Sequence, residues 1–328
     1  MKKILLITSL LLATQPIAAL NWSDIPFLAS VFNKKTENFW AAATMIIGIA
    51  AISLGIWWPF SKKTIATYGH AERQGRRPTM EDAFFIENNA DHAFFGLFDG
   101  HGGRAVADYL AQNLYQNILQ DGNFKADPVA AIRDGCLATD QKLKNISGLK
   151  YITVGSTAVM ALIKSGKISI GNVGDSRAVL ASNGIAQALS TDHKPNIPSE
   201  AARIEAAGGS VYQRKINNQD DAWRVYNASR SAGGLAVSRA FGDFGMKNFG
   251  LIAEPEISIH TITPNDEFLI LACDGVWDVL DNQTAVDVVK ASLAQKPNNF
   301  DAAAKALTLK ALAFGSTDNV SAIIIKLN

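Results

Sequence analysis

Five carboxylates stand where short apolar runs begin or end. Ala93-Phe94-Phe95-Gly96-Leu97-Phe98 stops at Asp99, inside the turn Gly100-His101-Gly102-Gly103, and the run Phe268 to Cys273 stops at Asp274-Gly275. Asp318 precedes the run Val320 to Leu327, and Glu81-Asp82 opens the run Ala83 to Ile86. A short apolar run bounded by turn residues reads as a buried strand, so these acids sit at strand ends, where a rigid element can aim them. Taken singly, such a residue is an ordinary turn residue or helix cap. Gathered together, with no histidine or cysteine cluster beside them, they form the oxygen-rich environment that Mg²⁺ or Mn²⁺ prefers. Without a cation that gathering is costly or forces proton uptake. Two cations about 4 Å apart could share Asp99 and hold a bridging water whose pKa falls toward about 7, so that it attacks as hydroxide. The chemistry this suits is phosphoryl transfer to water.

The elements that must position these acids follow from the patterning. Strands are predicted at Ala83 to Ile86, Ala93 to Phe98, Ser156 to Ile163, Ile168 to Val173, Ala178 to Ser182, Ile185 to Leu189, Phe268 to Cys273 and Val320 to Leu327. Asn183-Gly184 separates two of them as a hairpin turn, since both central residues must take positive φ. Helices are predicted at about 103–119, 127–143, 199–207, 282–294 and 301–313. In the first of these, Val106, Leu110, Leu114 and Ile118 form one apolar stripe. Strands that follow one another through hairpins indicate antiparallel sheets.

The chain has 328 residues, of which 48% are apolar and 19% charged, enough for a sizeable core. Its 31 Lys and Arg against 30 Asp and Glu leave a formal charge of +1, with no basic patch to suggest nucleic-acid binding. The two cysteines, Cys136 and Cys273, make neither a disulfide framework nor a zinc site and fit a reducing compartment.

The N-terminal part differs in character. Residues 1–20 have the basic start, apolar centre and small-residue end of a signal-like or anchor segment. Residues 21–38 form a short connection, and 39–60 carry no charge between Phe39-Trp40 and Trp57-Trp58, the pattern of a transmembrane helix with aromatic belts. Lys62, Lys63, Arg73, Arg76 and Arg77 after the span outnumber Lys34 and Lys35 before it. This places residues 61–328, read as one domain, on the cytosolic side of the membrane.

Eight further pieces carry a resemblance. Arg77-Pro78-Thr79-Met80-Glu81-Asp82, Asp99-Gly100-His101-Gly102-Gly103, Gly174-Asp175-Ser176-Arg177 and Asp192-His193-Lys194-Pro195 come first. Leu235 to Asp243, Ala253-Glu254-Pro255-Glu256, Cys273 to Asp278 and Ser316 to Val320 follow. In that order they resemble the motif series of the metal-dependent serine/threonine protein phosphatases, the type 2C or PPM family, over residues 68–328. The resemblance implies an α+β fold, a four-layer α-β-β-α sandwich of two antiparallel sheets flanked by helices, with phosphorylated proteins as substrates. It implies that Asp99 bridges two Mn²⁺ or Mg²⁺ ions, with the Gly100 carbonyl, Glu81, Asp274 and Asp318 completing direct and water-mediated shells and Asp82 orienting a bound water. Arg77 is then the clamp on the substrate phosphate, His101 the acid for the leaving oxygen, and Asp175 a partner of Asp274 for a weaker third metal. Asp243 reads as a structural hydrogen-bonding group.

Ser210 to Ala232 is longer than the connection usual in that family, where this region forms a flap beside the active site. Its Arg214, Lys215, Arg224 and Arg230 are read as possible selectors of phosphosubstrates, with a solvated loop as the equal alternative. Two rival functions stay open: a pseudophosphatase that grips phosphoproteins without turnover, and a hydrolase of small phosphoesters.

Overall fold

The computed structural model describes residues 64–146, 154–216, 219–231 and 233–328. The chain begins with β1 (Tyr68–Arg73), β2 (Ala83–Asn88), β3 (His92–Phe98) and β4 (Gly100–His101), then the helices α1 (Ala105–Leu119) and α2 (Pro128–Leu143). It continues through β5 (Gly155–Ser156), β6 (Ala158–Lys164), β7 (Lys167–Val173), β8 (Arg177–Ser182), β9 (Ile185–Ala188) and α3 (Pro198–Ala206). Next come β10 (Gly209–Ile216), β11 (Gln219–Asn227), β12 (Gly233–Leu235), β13 (Phe241–Gly242) and the single turn α4 (Phe244–Lys247). The C-terminal third holds β14 (Glu256–Thr261), β15 (Asp266–Ala272), α5 (Asp274–Trp277), α6 (Asn282–Gln295), α7 (Phe300–Ala313) and β16 (Val320–Lys326).

Two five-stranded sheets result, ordered β1-β16-β15-β8-β9 and β14-β7-β6-β3-β2. All their neighbours pair antiparallel. Alternation along the strands decides the layering. In β3, Phe94 and Phe98 face the cluster that holds Leu110, Leu114 and Ile132 of α1 and α2. Ala93, Phe95 and Leu97 turn the other way, into a cluster shared with Leu269, Leu271, Ile323 and Ile325 of the opposite sheet. The other faces of β15 and β16 pack Ile270 and Ile324 against Val286, Val289 and Leu307 of α6 and α7. Helices, sheet, sheet, helices therefore stack as four layers, and strands covered on both faces read as continuous apolar runs.

Local chemistry starts the helices where the patterning indicates. Asp127 caps α2 by accepting from the Val129 and Ala130 N–H groups, with Pro128 at the first turn. Asp281 and Asn299 cap α6 and α7 in the same way. Asn183 and Gly184 take φ of 50° and 75°, the paired positive values that the β8–β9 hairpin turn requires.

The segment expected as a long connection is a hairpin, β10 against β11, extended by β12. It has its own small core of Ile204, Val225, Val237, Ala240, Met246 and Leu251. Two of its basic residues brace it: Arg224 donates to the Gly234 carbonyl at 2.8 Å, and Arg230 lies over the Tyr212 ring at 4.2 Å. Among the described residues no helix is long and apolar enough to cross a membrane. The span expected at 39–60, the signal-like residues 1–20 and the connection 21–38 lie outside the described residues.

Candidate metal centre

Register brings the acids together. In one sheet β2 pairs Ala83 with Phe98, so Asp82 and Asp99, one residue further out, leave the sheet side by side. In the other, β15 pairs Ala272 with Ala322 of β16, and the next backbone bond runs from the Cys273 N–H to the Ser321 carbonyl at 3.2 Å. Asp274 then opens α5, and Asp318 immediately precedes Asn319 and β16. Both sheets thus deliver carboxylates to one common edge. Ligand atoms of Asp82, Asp99 and Cys273 all lie within 4.8 Å of one another. The Asp99 backbone is fixed by its carbonyl, which accepts from the Thr157 N–H at 2.9 Å.

Crowding shows in the acidities. Burial, and then the charges of Asp274, Asp82, Asp175 and Asp318, push the Asp99 carboxyl well above the ordinary carboxylate range. Burial and the charges of Asp175, Asp278 and Asp318 do the same to Asp274, with Lys194 opposing. Asp82 is 1% exposed, and burial raises it to about 6, with Ser321 and Cys273 beside it drawing it back and Asp318 adding to the rise. Neither of its carboxylate oxygens makes a hydrogen bond of ordinary geometry, although Ser321 and Cys273 are near enough to favour its ionised form. Buried, unpartnered carboxylate oxygens among other carboxylates fit a hard divalent cation and its water. Cys273 is not a natural member of that donor set. Its thiol is pushed well up by burial and by Asp82, Asp99 and Asp274, and its sulfur accepts from the Ser321 N–H at 3.1 Å.

The remaining expected residues lie around this edge. Gly100 leaves no room for a side chain, since a Cβ there would stand 2.5 Å from the Glu81 carbonyl oxygen. The Glu81 carboxylate accepts from the Gly103 N–H at 3.2 Å and from the Thr79 hydroxyl at 2.9 Å. Arg77 is paired with Asp318, Nη2 to Oδ2 at 2.6 Å, while its side chain remains 56% exposed at the rim. Asp175, 3% exposed, is held by Lys194 at 2.5 Å. His101 Nε2 lies 2.6 Å from Asp243 Oδ2. Burial lowers the His101 pKa, but the Asp243 hydrogen bond and charge, with Asp175 and Glu81, outweigh it and raise the pKa above its ordinary value.

Two contributors, Asp278 and Asn319, are not singled out by the sequence. Asp278 stands one helical turn after Asp274, and its charge reaches Asp274 together with that of Asp175. The i,i+4 spacing of the two acids was the available signal. Asn319 holds the 74–81 segment: its Oδ1 accepts from the Glu81 N–H at 2.8 Å, and its Nδ2 donates to the Gln74 and Thr79 carbonyls at 2.8 and 2.9 Å. No local pattern announces bonds that span about 240 residues of chain. Asp243, expected as a structural hydrogen-bonding group, is hydrogen-bonded to His101.

Two stacked antiparallel sheets flanked by helices, with acidic side chains at their shared edge, agree with the fold that the resemblance implies. Residues 66–320 match the family model described as Protein phosphatase 2C. The chain is 40% identical over 266 residues to a probable protein phosphatase 2C 59 of Arabidopsis thaliana, covering 79% of each protein. It is 42% identical over 271 residues to a probable protein phosphatase 2C 55 of Oryza sativa subsp. japonica, covering 81% of this chain and 67% of that one. Among solved structures it is similar to the serine-threonine phosphatase 2C from Toxoplasma gondii, at 26% identity and a TM-score of 0.71, over 80% of this chain and 96% of that one. The chain belongs to the protein phosphatase 2C family and is a serine/threonine protein phosphatase.

Proposed function

We propose that the chain hydrolyses phosphoserine and phosphothreonine in proteins at a centre of two Mn²⁺ or Mg²⁺ ions, by direct attack of water on phosphorus and without a phosphoenzyme. The observation that carries this reading is the meeting of carboxylates from two different sheets around the unpartnered oxygens of Asp82. Asp99, Asp274, Asp318 and Glu81, with the Gly100 carbonyl, would hold the ions, and Asp82 would accept a hydrogen bond from bound water. When bound, the ions supply an acidified water nucleophile and positive charge for the phosphoryl oxygens.

The chain's own residues do the rest. Arg77, whose side chain is 56% exposed, orients the substrate phosphate, a task its planar donors suit. Asp318, by pairing with Arg77, sets where that fork stands. As the phosphorus–oxygen bond breaks, His101 gives a proton to the departing seryl or threonyl oxygen, which leaves as a neutral hydroxyl. Asp175, with Asp274, would hold a weaker third ion in competition with Lys194. Hydrolysis of a phosphothreonine peptide in Mn²⁺ and in chelator tests the reading. Turnover should require Mn²⁺ and vanish in Asp99→Asn; full activity in chelator would refute it.

We also propose, on sequence alone, that residues 39–60 anchor the enzyme in a membrane with residues 61–328 in the cytosol. Release of the full chain from membranes by alkaline carbonate would overturn this.

A further inference from the structure

Asp243 is built into the fold in a way that its local structure does not use. It takes φ of 47°, the left-handed region that a residue with a side chain seldom occupies. It stands at the N-cap position of α4, yet its side chain makes no capping hydrogen bond. That residue type at that position normally accepts from the helix N–H groups. The side chain is fully buried instead, and Oδ2 reaches 2.6 Å from His101 Nε2 while Oδ1 has no partner.

The backbone around the pair is arranged to hold it. The central strand of a small sheet, β5, pairs with β4 on one side and β13 on the other. Gly155 therefore lies opposite both His101 and Gly242, the residue before Asp243. A Cβ on Gly155 would stand 2.0 Å from Asp243 Oδ2 and 2.5 Å from His101 Nε2. The Asp243 N–H donates to the Val154 carbonyl at 3.0 Å, and its own carbonyl accepts from the Met246 N–H at 2.8 Å. A strained, buried carboxylate with a glycine-cleared path to one imidazole points to a role at that imidazole.

We propose that Asp243 is a positioning residue for catalysis: it holds His101 by Nε2, so that Nδ1 faces the substrate and gives the proton to the departing oxygen. The inference rests on the reading of His101 as the acid. In the step, the Nδ1–H bond breaks as the new O–H bond forms on the seryl or threonyl oxygen and the phosphorus–oxygen bond opens. His101 is left neutral with its remaining proton on Nε2, donated to Asp243, and regains the other from solvent through its 29% exposed side chain. The carboxylate selects that tautomer, much as an aspartate orients the histidine of a hydrolase triad.

The test compares Asp243→Asn, His101→Ala and the double variant, each saturated with Mn²⁺, on a phosphothreonine peptide and on 4-nitrophenyl phosphate. Nitrophenolate leaves without a proton donor, so loss of acid catalysis should fall on the peptide. For Asp243→Asn we expect kcat on the peptide to drop at least ~10-fold more than on the aryl ester, with KM little changed. The double variant should be no slower on the peptide than His101→Ala. Equal losses on both substrates, or additive losses in the double variant, overturn the role of Asp243. If His101→Ala itself fails to distinguish the substrates, the acid reading falls first and takes the inference with it. A nitrogen-15 correlation spectrum of the unmodified enzyme adds a readout independent of any variant's folding: the neutral His101 ring should carry its proton on Nε2, and a proton on Nδ1 overturns the proposal.

Discussion

Removing a carboxylate from the centre should stabilise the metal-free protein. Asp82 is the sharpest case, because it is 1% exposed and its oxygens make no hydrogen bond of ordinary geometry. Its pKa rises from 3.8 in the unfolded chain to about 6 in the fold. At about 1.36 kcal/mol per pH unit this corresponds to a penalty of ~3 kcal/mol for holding Asp82 ionised. The sign follows from proton counting. Between those two pH values the folded state keeps a proton that the unfolded state has lost, so stability falls as pH rises through that window. Below 3.8 the penalty is absent, and above about 6 it is complete. Asp82→Asn removes the charge while nearly keeping the shape. In chelator at pH ~7.5 it should raise stability by up to ~3 kcal/mol, an increase of several degrees in melting temperature. At pH ~5 the gain should shrink to about half. Urea denaturation at both pH values, with and without Mn²⁺, measures this directly. Saturating Mn²⁺ should stabilise the parent protein more than the variant, because the ion supplies the partner that Asp82 lacks. A variant less stable than its parent in chelator at pH ~7.5, or a gain that does not depend on pH, would refute the reasoning.

Further outcomes follow from other contacts. Asp99→Asn and Asp274→Asn should each abolish phosphatase activity and weaken Mn²⁺ binding in calorimetry by at least ~10-fold, with the cooperative melt retained. Lys194→Met, which removes the 2.5 Å partner of Asp175, should tighten the weakest Mn²⁺ binding event; unchanged affinity would mean that Asp175 holds no ion. Asn319→Ala deletes three hydrogen bonds to the 74–81 segment. It should cost about 1–3 kcal/mol in urea denaturation and raise KM for a phosphopeptide, because Arg77 loses its support. An unchanged KM would show that Arg77 is placed by Asp318 alone.

What could be read from the residues, and what could not, divides along physical lines. Strands β3, β6, β15 and β16 lie between a helical layer and the other sheet, so both faces are apolar and the runs stand out. The edge strands β1 and β14 do not. In β14, Ser258 and His260 alternate with Ile257 and Ile259, and Ile259 is left 58% exposed. β1 reads Tyr-Gly-His-Ala-Glu-Arg and gains its strand character only from pairing with β16. The β10–β11 hairpin lies where a long connection was expected, and α5 is a single turn too short to give a period. At the centre, the acids were legible because strand ends mark themselves. Their counter-charges were not: Arg77 meets Asp318 across 241 residues, and His101 meets Asp243 across 142. Only the stacking of the sheets and the path of β5 bring such partners together.

The central claim is that acids from both sheets together hold a pair of divalent ions that the reaction needs. Titrating Mn²⁺ into chelator-treated enzyme, with bound ion followed by electron paramagnetic resonance and phosphopeptide turnover measured on the same samples, tests it most directly. Activity should appear only as a second tight ion fills, with the spin-coupled signal of neighbouring ions, and both should disappear in Asp99→Asn. Turnover without bound Mn²⁺, or two tight ions surviving in Asp99→Asn, would contradict it.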